Sequence, residues 1–183
     1  MFNDRYGLTD AVIEGRKTMT RRIIIPQPDF LSDNFGWAKR NNGDVILPKY
    51  GVDEVVAVAQ SYEAAGFDPE YSIEGMLYAK KHAGWRNKMF VSAKYMPHQI
   101  RITGIRCERL QDISDAECLK EGVRVEFARN GMPMYYYFDT KRYREIWFYT
   151  PREAFAALID KVSGRGTWKS NPWVVVYEFE LVK

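Results

Sequence analysis

Strand-like runs separated by turns dominate the chain, and the two longest constrain its fold most. One extends from about Gln99 to Leu110, and the other extends from Val174 to Leu181. The shorter run Val55–Ala59 is apolar on both faces, which is typical of a central strand in a sheet. In total the pattern predicts five or six strands, with about three short helices among them in mixed order. This mixture predicts an α+β fold, with a small mixed β-barrel and a few short helices at its mouth.

Local signals mark the three predicted helices. The first precedes Gly15, and its apolar residues recur at helical spacing. The second begins with Ser114 and Glu117, which form a capping box because each side chain can accept the other residue's exposed backbone N–H. Gly122 ends this helix. The third begins at Pro151 and continues with apolar residues at positions i, i+3, i+4 and i+7, which predicts a core-facing stripe.

Length and composition describe an ordinary globular chain. Its 183 residues fit one domain, large enough to bury about 70% of its unfolded surface. Aromatic residues make up 15% of the chain, so some rings must lie at the surface or line a groove. The net charge is only +3, and any nucleic-acid role therefore depends on a local basic patch.

Several functional classes are disfavoured by what the chain lacks. Cys107 and Cys118 are too few for a disulfide framework, and we expect buried thiols in a reducing compartment. His82 and His98 have no partners at metal-ligand spacing, so we expect no metal and no cofactor. No apolar run reaches the roughly 20 residues that span a bilayer, and the first residues lack a signal-peptide core. We therefore expect a cytoplasmic protein that does not contact a membrane.

The basic segment 15–22, Gly-Arg-Lys-Thr-Met-Thr-Arg-Arg, is the strongest functional signal. Four of its eight residues are cationic, and threonine hydroxyls lie between them. Such a density of donors indicates a contact with an anion or a nucleic acid, although a solvated basic turn would have the same composition. The apolar triplet Ile23–Ile25 follows directly and predicts a buried strand, closed by two prolines.

Together with several other stretches, this segment resembles the ASCH domain family of the PUA-like superfamily, and most closely its phage- and prophage-associated members. The further matching stretches are 55–58, 100–114, the helix end at 121–122 and the closing residues 171–174. The resemblance covers a single domain, 1–183, except for about 63–94 and 124–146, which look like insertions. It implies a PUA-like β-barrel with a cleft that suits RNA or a modified nucleoside.

The resemblance also implies a set of site residues. In small bacterial ASCH proteins a Lys, a Thr and a Glu form an amidohydrolase site that acts on N4-acetylcytidine. Their counterparts by motif are Lys17, Thr20 and Glu121, which we expect to be catalytic. The resemblance implies no cofactor.

Amide hydrolysis needs a nucleophile, a base and a group that polarises the carbonyl. Thr20 is a candidate nucleophile, provided that a neutral Lys17 accepts its proton. Glu121 could hold a water or protonate the leaving amine, and Arg21 could donate to the oxyanion. The sequence does not assign the acid and the base.

Five residues are candidates for contacts with a ligand or nucleic acid. Arg16, Arg21 and Arg22 supply cations, which would also lower the pKa of a neighbouring lysine. Trp168 and Asn171 lie in a polar turn near the chain end, where an indole ring could stack on a base.

Other interpretations stay open at this level. The cations of segment 15–22 could pair with acids of the second helix, and Glu121 could be a solvated helix-end residue. The chain could equally be a non-catalytic nucleic-acid-binding module of phage or prophage origin. A third interpretation is a protein-interaction domain that uses its aromatic surface.

Overall fold

The computed structural model describes residues 2–31, 38–66 and 84–182. Most of the first predicted insertion, 63–94, lies outside these ranges, and so does His82. No helix within the described ranges has the length and apolar character needed to cross a membrane.

The described residues form a mixed α+β fold, which confirms the predicted class, while a PUA-like barrel stays a prediction. In the described part of the chain, ten strands are arranged in three antiparallel sheets. The strands are β1 Met19–Ile23, β2 Phe30–Leu31, β3 Ala38–Lys39, β4 Val45–Ile46, β5 Val55–Ala57, β6 Gln99–Arg109, β7 Arg124–Phe127, β8 Pro133–Asp139, β9 Arg144–Phe148 and β10 Trp173–Leu181. Within the described ranges the α-helices are α1 Leu8–Ile13, α2 Asp115–Lys120, α3 Pro151–Ser163 and α4 Thr167–Ser170.

The central sheet has the strand order β1-β10-β6-β5, in which β10 is an interior strand. Strand β10 pairs with β1 on one side and with β6 on the other, and successive side chains alternate between two cores. Val174 and Val176 face a core that includes α3, whereas Val175, Tyr177 and Phe179 face a second core on the opposite side of the sheet. The sequence therefore reads as a nearly continuous apolar run because both faces of the strand are covered.

Two strands differ in position or length from those predicted from the sequence. The first strand begins at Met19, inside the basic segment, and ends at Ile23, so the triplet Ile23–Ile25 is not a strand. Ile24 is buried but Ile25 is 84% exposed. The run at Val55–Ala59 forms an edge strand of three residues, which pairs only with β6 among the described strands.

Residues 124–148, which include the second predicted insertion, fold into the antiparallel sheet β7-β8-β9. Its inner face packs on α3 through Tyr137, Ile146 and Phe148. The rings of Tyr137 and Phe148 stack with centroids 5.9 Å apart. The aromatic cluster in this part of the sequence thus supplies one wall of the first core.

The capping box of the second helix is confirmed, and the turn that follows it fixes the position of Glu121. Ser114 and Glu117 exchange the expected hydrogen bonds at the start of α2. The helix ends at Lys120 with Glu121 as its C-cap residue, and Gly122 adopts φ +106°, which favours glycine. A Cβ atom on Gly122 would lie 2.9 Å from Cδ2 of Leu8 and 3.6 Å from Cδ of Lys17. A side chain at this position would therefore be accommodated only with a strained backbone and a shift of the Leu8 side chain.

We expect Gly122→Ala to lower the free energy of unfolding by about 2–3 kcal/mol, since backbone strain and the contact with Leu8 add. Gly131→Ala is the matched control, because Gly131 also has positive φ but a Cβ atom there meets nothing within 4 Å. In this control the free energy of unfolding should fall by only about 1 kcal/mol. Urea denaturation of both variants measures the difference, and equal losses would contradict the packing argument.

Candidate functional site

A cavity of about 620 Å³ opens beside β1, and the site residues Lys17, Thr20 and Glu121, which the ASCH resemblance implies, line it. Its walls come from β1 and Lys17 before it, the N-terminal residues 2–4, Leu8 of α1, the C-terminal end of α2 at Glu121, the loop 86–89 and the inner side of α3. The cavity brings together five of the eight site residues predicted from the sequence: Lys17, Thr20, Arg21, Arg22 and Glu121.

Backbone hydrogen bonds hold the basic segment between two helices. The Lys17 N–H donates to the carbonyl of Ala11 in α1 at 2.8 Å, and the Thr18 N–H donates to the carbonyl of Lys120 in α2 at 3.0 Å. The chain then enters β1 and pairs with β10. These anchors place Lys17 directly against the C-terminal end of α2, where Glu121 lies.

Lys17 is buried, and its ammonium group is fully hydrogen-bonded. Nζ donates to the Met19 carbonyl at 2.7 Å, to the Glu121 carbonyl at 2.7 Å and to Oε2 of Glu121 at 2.6 Å. An ammonium has three N–H donors, so each one has a protein acceptor. The Glu121 carboxylate is likewise buried. The pair therefore forms a desolvated ion pair at the wall of the cavity.

Burial lowers the pKa of Lys17, and this is the largest influence on it. The Glu121 carboxylate acts in the opposite direction, and the charges of Arg22 and Arg21 add a smaller lowering. The net pKa is below the ordinary lysine value of 10.5. Sequence analysis predicted that burial or the cations Arg16, Arg21 and Arg22 would lower this pKa; burial is the main cause, and Arg22 and Arg21 contribute.

Arg21 is the centre of a larger ion network rather than an available donor. Its guanidinium donates to Glu108 through Nε at 2.9 Å and through Nη2 at 2.6 Å. Nη2 also reaches Glu117 at 3.1 Å, and Nη1 reaches Glu121 and the Met19 sulfur, both at 3.2 Å. These five contacts match the five N–H donors of an arginine. The geometry therefore favours a positioning role for Arg21 over donation to an oxyanion.

Arg106 extends the same network toward the surface. It donates to Glu108 at 2.8 Å and also bonds Glu117 and Glu178. Burial opposes ionisation of Glu117, but the Ser114 backbone N–H and the two arginines lower the pKa of its carboxyl on balance. The sequence did not reveal Arg106 or Glu108, because charged residues alternating on a strand usually indicate a solvent-facing side.

Thr20 and Arg22 lie where the first cavity meets a second one. Both residues, together with Phe2 and Ile23, line the two cavities. Thr20 is half-buried, and no group of the described residues hydrogen-bonds its hydroxyl. Arg22 is exposed, and its guanidinium carbon lies 5.8 Å from the centre of the Phe2 ring. Thr20 thus borders both cavities.

The second cavity has a volume of about 640 Å³ and a more apolar wall. It lies over the opposite face of the central sheet, against Val175, Tyr177 and Phe179. The Tyr177 hydroxyl accepts the backbone N–H of Lys49 at 2.9 Å, and the rings of Tyr50 and Tyr177 meet edge to face. The segment 46–50 is therefore tied down as the outer wall.

The loop 86–89 adds cations that the sequence reading did not assign to the site. Lys88 donates to Asp4 at 2.6 Å, to Thr9 at 2.9 Å and to the Phe2 carbonyl. These bonds fasten the loop over the N-terminal residues. Arg86 is largely exposed at the same wall. No local sequence signal could have placed this loop and segment 15–22 at one cavity, because they are more than sixty residues apart along the chain.

Two of the remaining predicted residues lie in a different part of the fold. Trp168 meets Phe155 edge to face at 6.1 Å and lies under the Arg152 guanidinium at 5.1 Å. Asn171 has positive φ and accepts the Gln111 backbone N–H through Oδ1 at 2.8 Å. Neither residue lines either cavity. Their role in ligand binding stays a prediction.

Arg16 also stays outside the cavity lining, although it belongs to the basic segment. It pairs locally with Glu14, with Nε 2.7 Å from a carboxylate oxygen. The side chain is only partly buried. Arg16 therefore offers a matched control for substitutions at the buried cations of the same segment.

Comparison with protein-family models, with curated proteins and with solved structures gives no match to this chain. Within the described ranges, His, Cys, Asp and Glu side chains form no group of three or more that could hold a metal ion.

We expect Arg21→Met to lower the free energy of unfolding by about 3–5 kcal/mol, because three buried or half-buried carboxylates lose their shared counter-ion. Arg16→Ala should change it by less than about 1 kcal/mol, as an exposed local pair contributes little. Guanidinium chloride denaturation measures both. A loss below 1 kcal/mol for Arg21→Met would contradict the central position of this residue in the network.

The lowered pKa of Lys17 predicts a pH dependence of stability. Between that pKa and 10.5 the unfolded chain binds more protons at this residue than the folded chain, so the contribution of Lys17 to stability rises with pH. Lys17→Met removes this contribution. The difference in unfolding free energy, wild type minus variant, should therefore increase as the pH is raised toward 10.5. Urea titrations at several pH values measure it, and a difference that is constant with pH would contradict the assignment.

Proposed function

We propose that this protein binds a modified nucleoside, free or within RNA, and hydrolyses the amide of an N4-acylated cytidine. The observation that carries the proposal is the convergence of a buried Lys17–Glu121 pair and an unbonded Thr20 hydroxyl on one cavity. The three residue types are those that the ASCH resemblance implies for an amidohydrolase. The proposal joins that resemblance to the geometry of these side chains.

The dimensions and lining of the first cavity suit a nucleoside. A volume of about 620 Å³ falls within the range of small-molecule sites. Phe2 supplies an aromatic ring, while Asn3 and Asp4 supply polar groups for the base or the sugar. Arg22 and Arg86 add positive charge where a phosphate group of an RNA chain would approach.

Proton transfer within the ion pair would activate the nucleophile. The buried ammonium of Lys17 gives a proton to the Glu121 carboxylate, and the resulting neutral amine has a lone pair. This transfer is assisted by the burial that lowers the pKa of Lys17. The neutral amine then accepts the proton of the Thr20 hydroxyl as Oγ attacks the amide carbonyl carbon.

The remaining steps return the site to its starting state. The carbon–nitrogen bond breaks, and N4 of cytidine leaves with the proton that Lys17 carries. A water molecule then attacks the Thr20 ester, gives one proton through Lys17 to Thr20 Oγ, and releases the carboxylic acid. Glu121 finally returns its proton to Lys17, which restores the ion pair. The sum is amide plus water to carboxylic acid plus cytidine.

One observation favours a second candidate, a nucleic-acid-binding domain without catalysis. All three donors of Lys17 are engaged by protein acceptors, which also fits a purely structural ion pair. Such a domain would bind an oligonucleotide through exposed cations such as Arg22 and Arg86, with an affinity that falls steeply with salt. Turnover distinguishes the two candidates.

We expect the wild type to release cytidine from N4-acetylcytidine, and Thr20→Val to lose at least about 1,000-fold in kcat because the nucleophile is gone. Valine keeps the shape of threonine, so the variant should fold. Lys17→Met should be similarly inactive, and Arg16→Ala should retain full activity. Chromatography of the released cytidine measures all four proteins.

Undiminished turnover by Thr20→Val would exclude Thr20 as the nucleophile. A wild type that releases no cytidine would overturn the amidohydrolase. Salt-dependent binding of an oligonucleotide under those conditions would then support the second candidate.

A further inference from the structure

We infer that the second cavity is the acyl-binding site, and that the preferred substrates carry an apolar acyl group much larger than acetyl. The inference rests on the proposed amidohydrolase function and specifies its substrate class. It depends on the position of Thr20 at the boundary between two cavities of different character.

The position of the proton donor determines which part of the substrate occupies which cavity. Lys17 and Glu121 line the first cavity and are absent from the lining of the second. The leaving nitrogen must receive a proton from Lys17, so the cytidine belongs in the first cavity. The carbonyl carbon lies at Thr20, and the substituent on its other side therefore extends into the second cavity.

The wall of the second cavity matches an apolar substituent. Ile24, Ile100, Ile102 and Val175 form its floor on the sheet, and Tyr50 and Tyr177 contribute aromatic edges. The volume of about 640 Å³ is far more than an acetyl methyl group occupies. Water left in such a cavity would face mostly hydrocarbon, which a larger acyl chain would cover favourably.

The rim of the cavity carries apolar side chains that face solvent. Leu47 is 72% exposed and Ile25 is 84% exposed, yet both line the second cavity. Exposed apolar residues grouped around a concavity mark a surface that a ligand covers. A linear acyl chain that leaves the cavity floor would pass between these two residues.

Two polar side chains in the wall of the second cavity, Tyr177 and Lys49, have partners within the protein, whereas Thr20 and the exposed Arg22 lie at its junction with the first cavity. The Tyr177 hydroxyl is occupied by the Lys49 backbone N–H. The ammonium of Lys49 lies 5.3 Å from the centre of the Tyr50 ring, at the wall formed by segment 46–50. An apolar chain can therefore enter without desolvating an unpartnered buried group.

The test is a series of N4-acylcytidines with acetyl, butanoyl and hexanoyl groups, assayed by chromatography of the released cytidine. In the wild type, kcat/KM should rise about two- to fourfold with each added methylene. Ala57→Phe introduces a ring at the half-buried edge strand β5, which lines only the second cavity. This variant should hydrolyse N4-acetylcytidine at the wild-type rate, and its kcat/KM on the hexanoyl substrate should fall at least tenfold.

Leu47→Asp is a second variant, since this exposed residue places a charge at the rim without affecting the core. It should also hydrolyse N4-acetylcytidine at the wild-type rate, and its kcat/KM on the hexanoyl substrate should fall several-fold.

Acetyl hydrolysis by the wild type, combined with a kcat/KM that stays flat or falls along the series, would overturn the acyl site and leave the amidohydrolase intact. The absence of hydrolysis for every substrate would overturn both proposals. Losses on the hexanoyl substrate alone, in both variants, would support the inference.

Discussion

The buried ion network around Arg21 is the interaction on which the candidate site depends. One guanidinium holds three carboxylates, and one of them, Glu121, holds Lys17. Removing charges of this kind from water is costly, and the cost is offset only when nearly every donor and acceptor is paired. The five contacts of Arg21 and the three of Lys17 meet that condition. The network fixes the position of the ion pair at the cavity wall more rigidly than an isolated pair would.

The elements that sequence analysis predicted well are those whose signals are local. The capping box at Ser114 and the apolar stripe after Pro151 depend on residues within one or two helical turns, and both helices occur as expected. Strand β1 was displaced for a physical reason. Its core-facing position 21 carries an arginine instead of an apolar side chain, so the alternation that marks a strand is broken. The ionic partners that make this burial possible lie elsewhere in the chain and leave no trace in the local pattern.

The candidate site was predictable in its motif but not in its surroundings. The spacing of Lys17 and Thr20 is a feature of one short segment, and the resemblance added Glu121. The second cavity, the loop at Lys88 and the network partner Arg106 are products of tertiary folding. Periodicity describes the faces of single elements, whereas a cavity exists only between elements. Thr20 is the clearest example, because it lines both cavities and the residue pattern of β1 alone predicts neither of them.

The residues that pair in the ion network lie far apart in the sequence, which affects how the site forms during folding. Arg21 bonds Glu108, Glu117 and Glu121, which lie 87, 96 and 100 residues away. Each contact therefore closes a very long loop, and contacts of this kind are slow to form during folding. Until those loops close, Lys17 remains hydrated, with an ordinary lysine pKa and no assembled pocket. The lowered pKa of this lysine is thus acquired together with the tertiary structure, and a nascent or partly unfolded chain carries the basic segment without the buried ion pair.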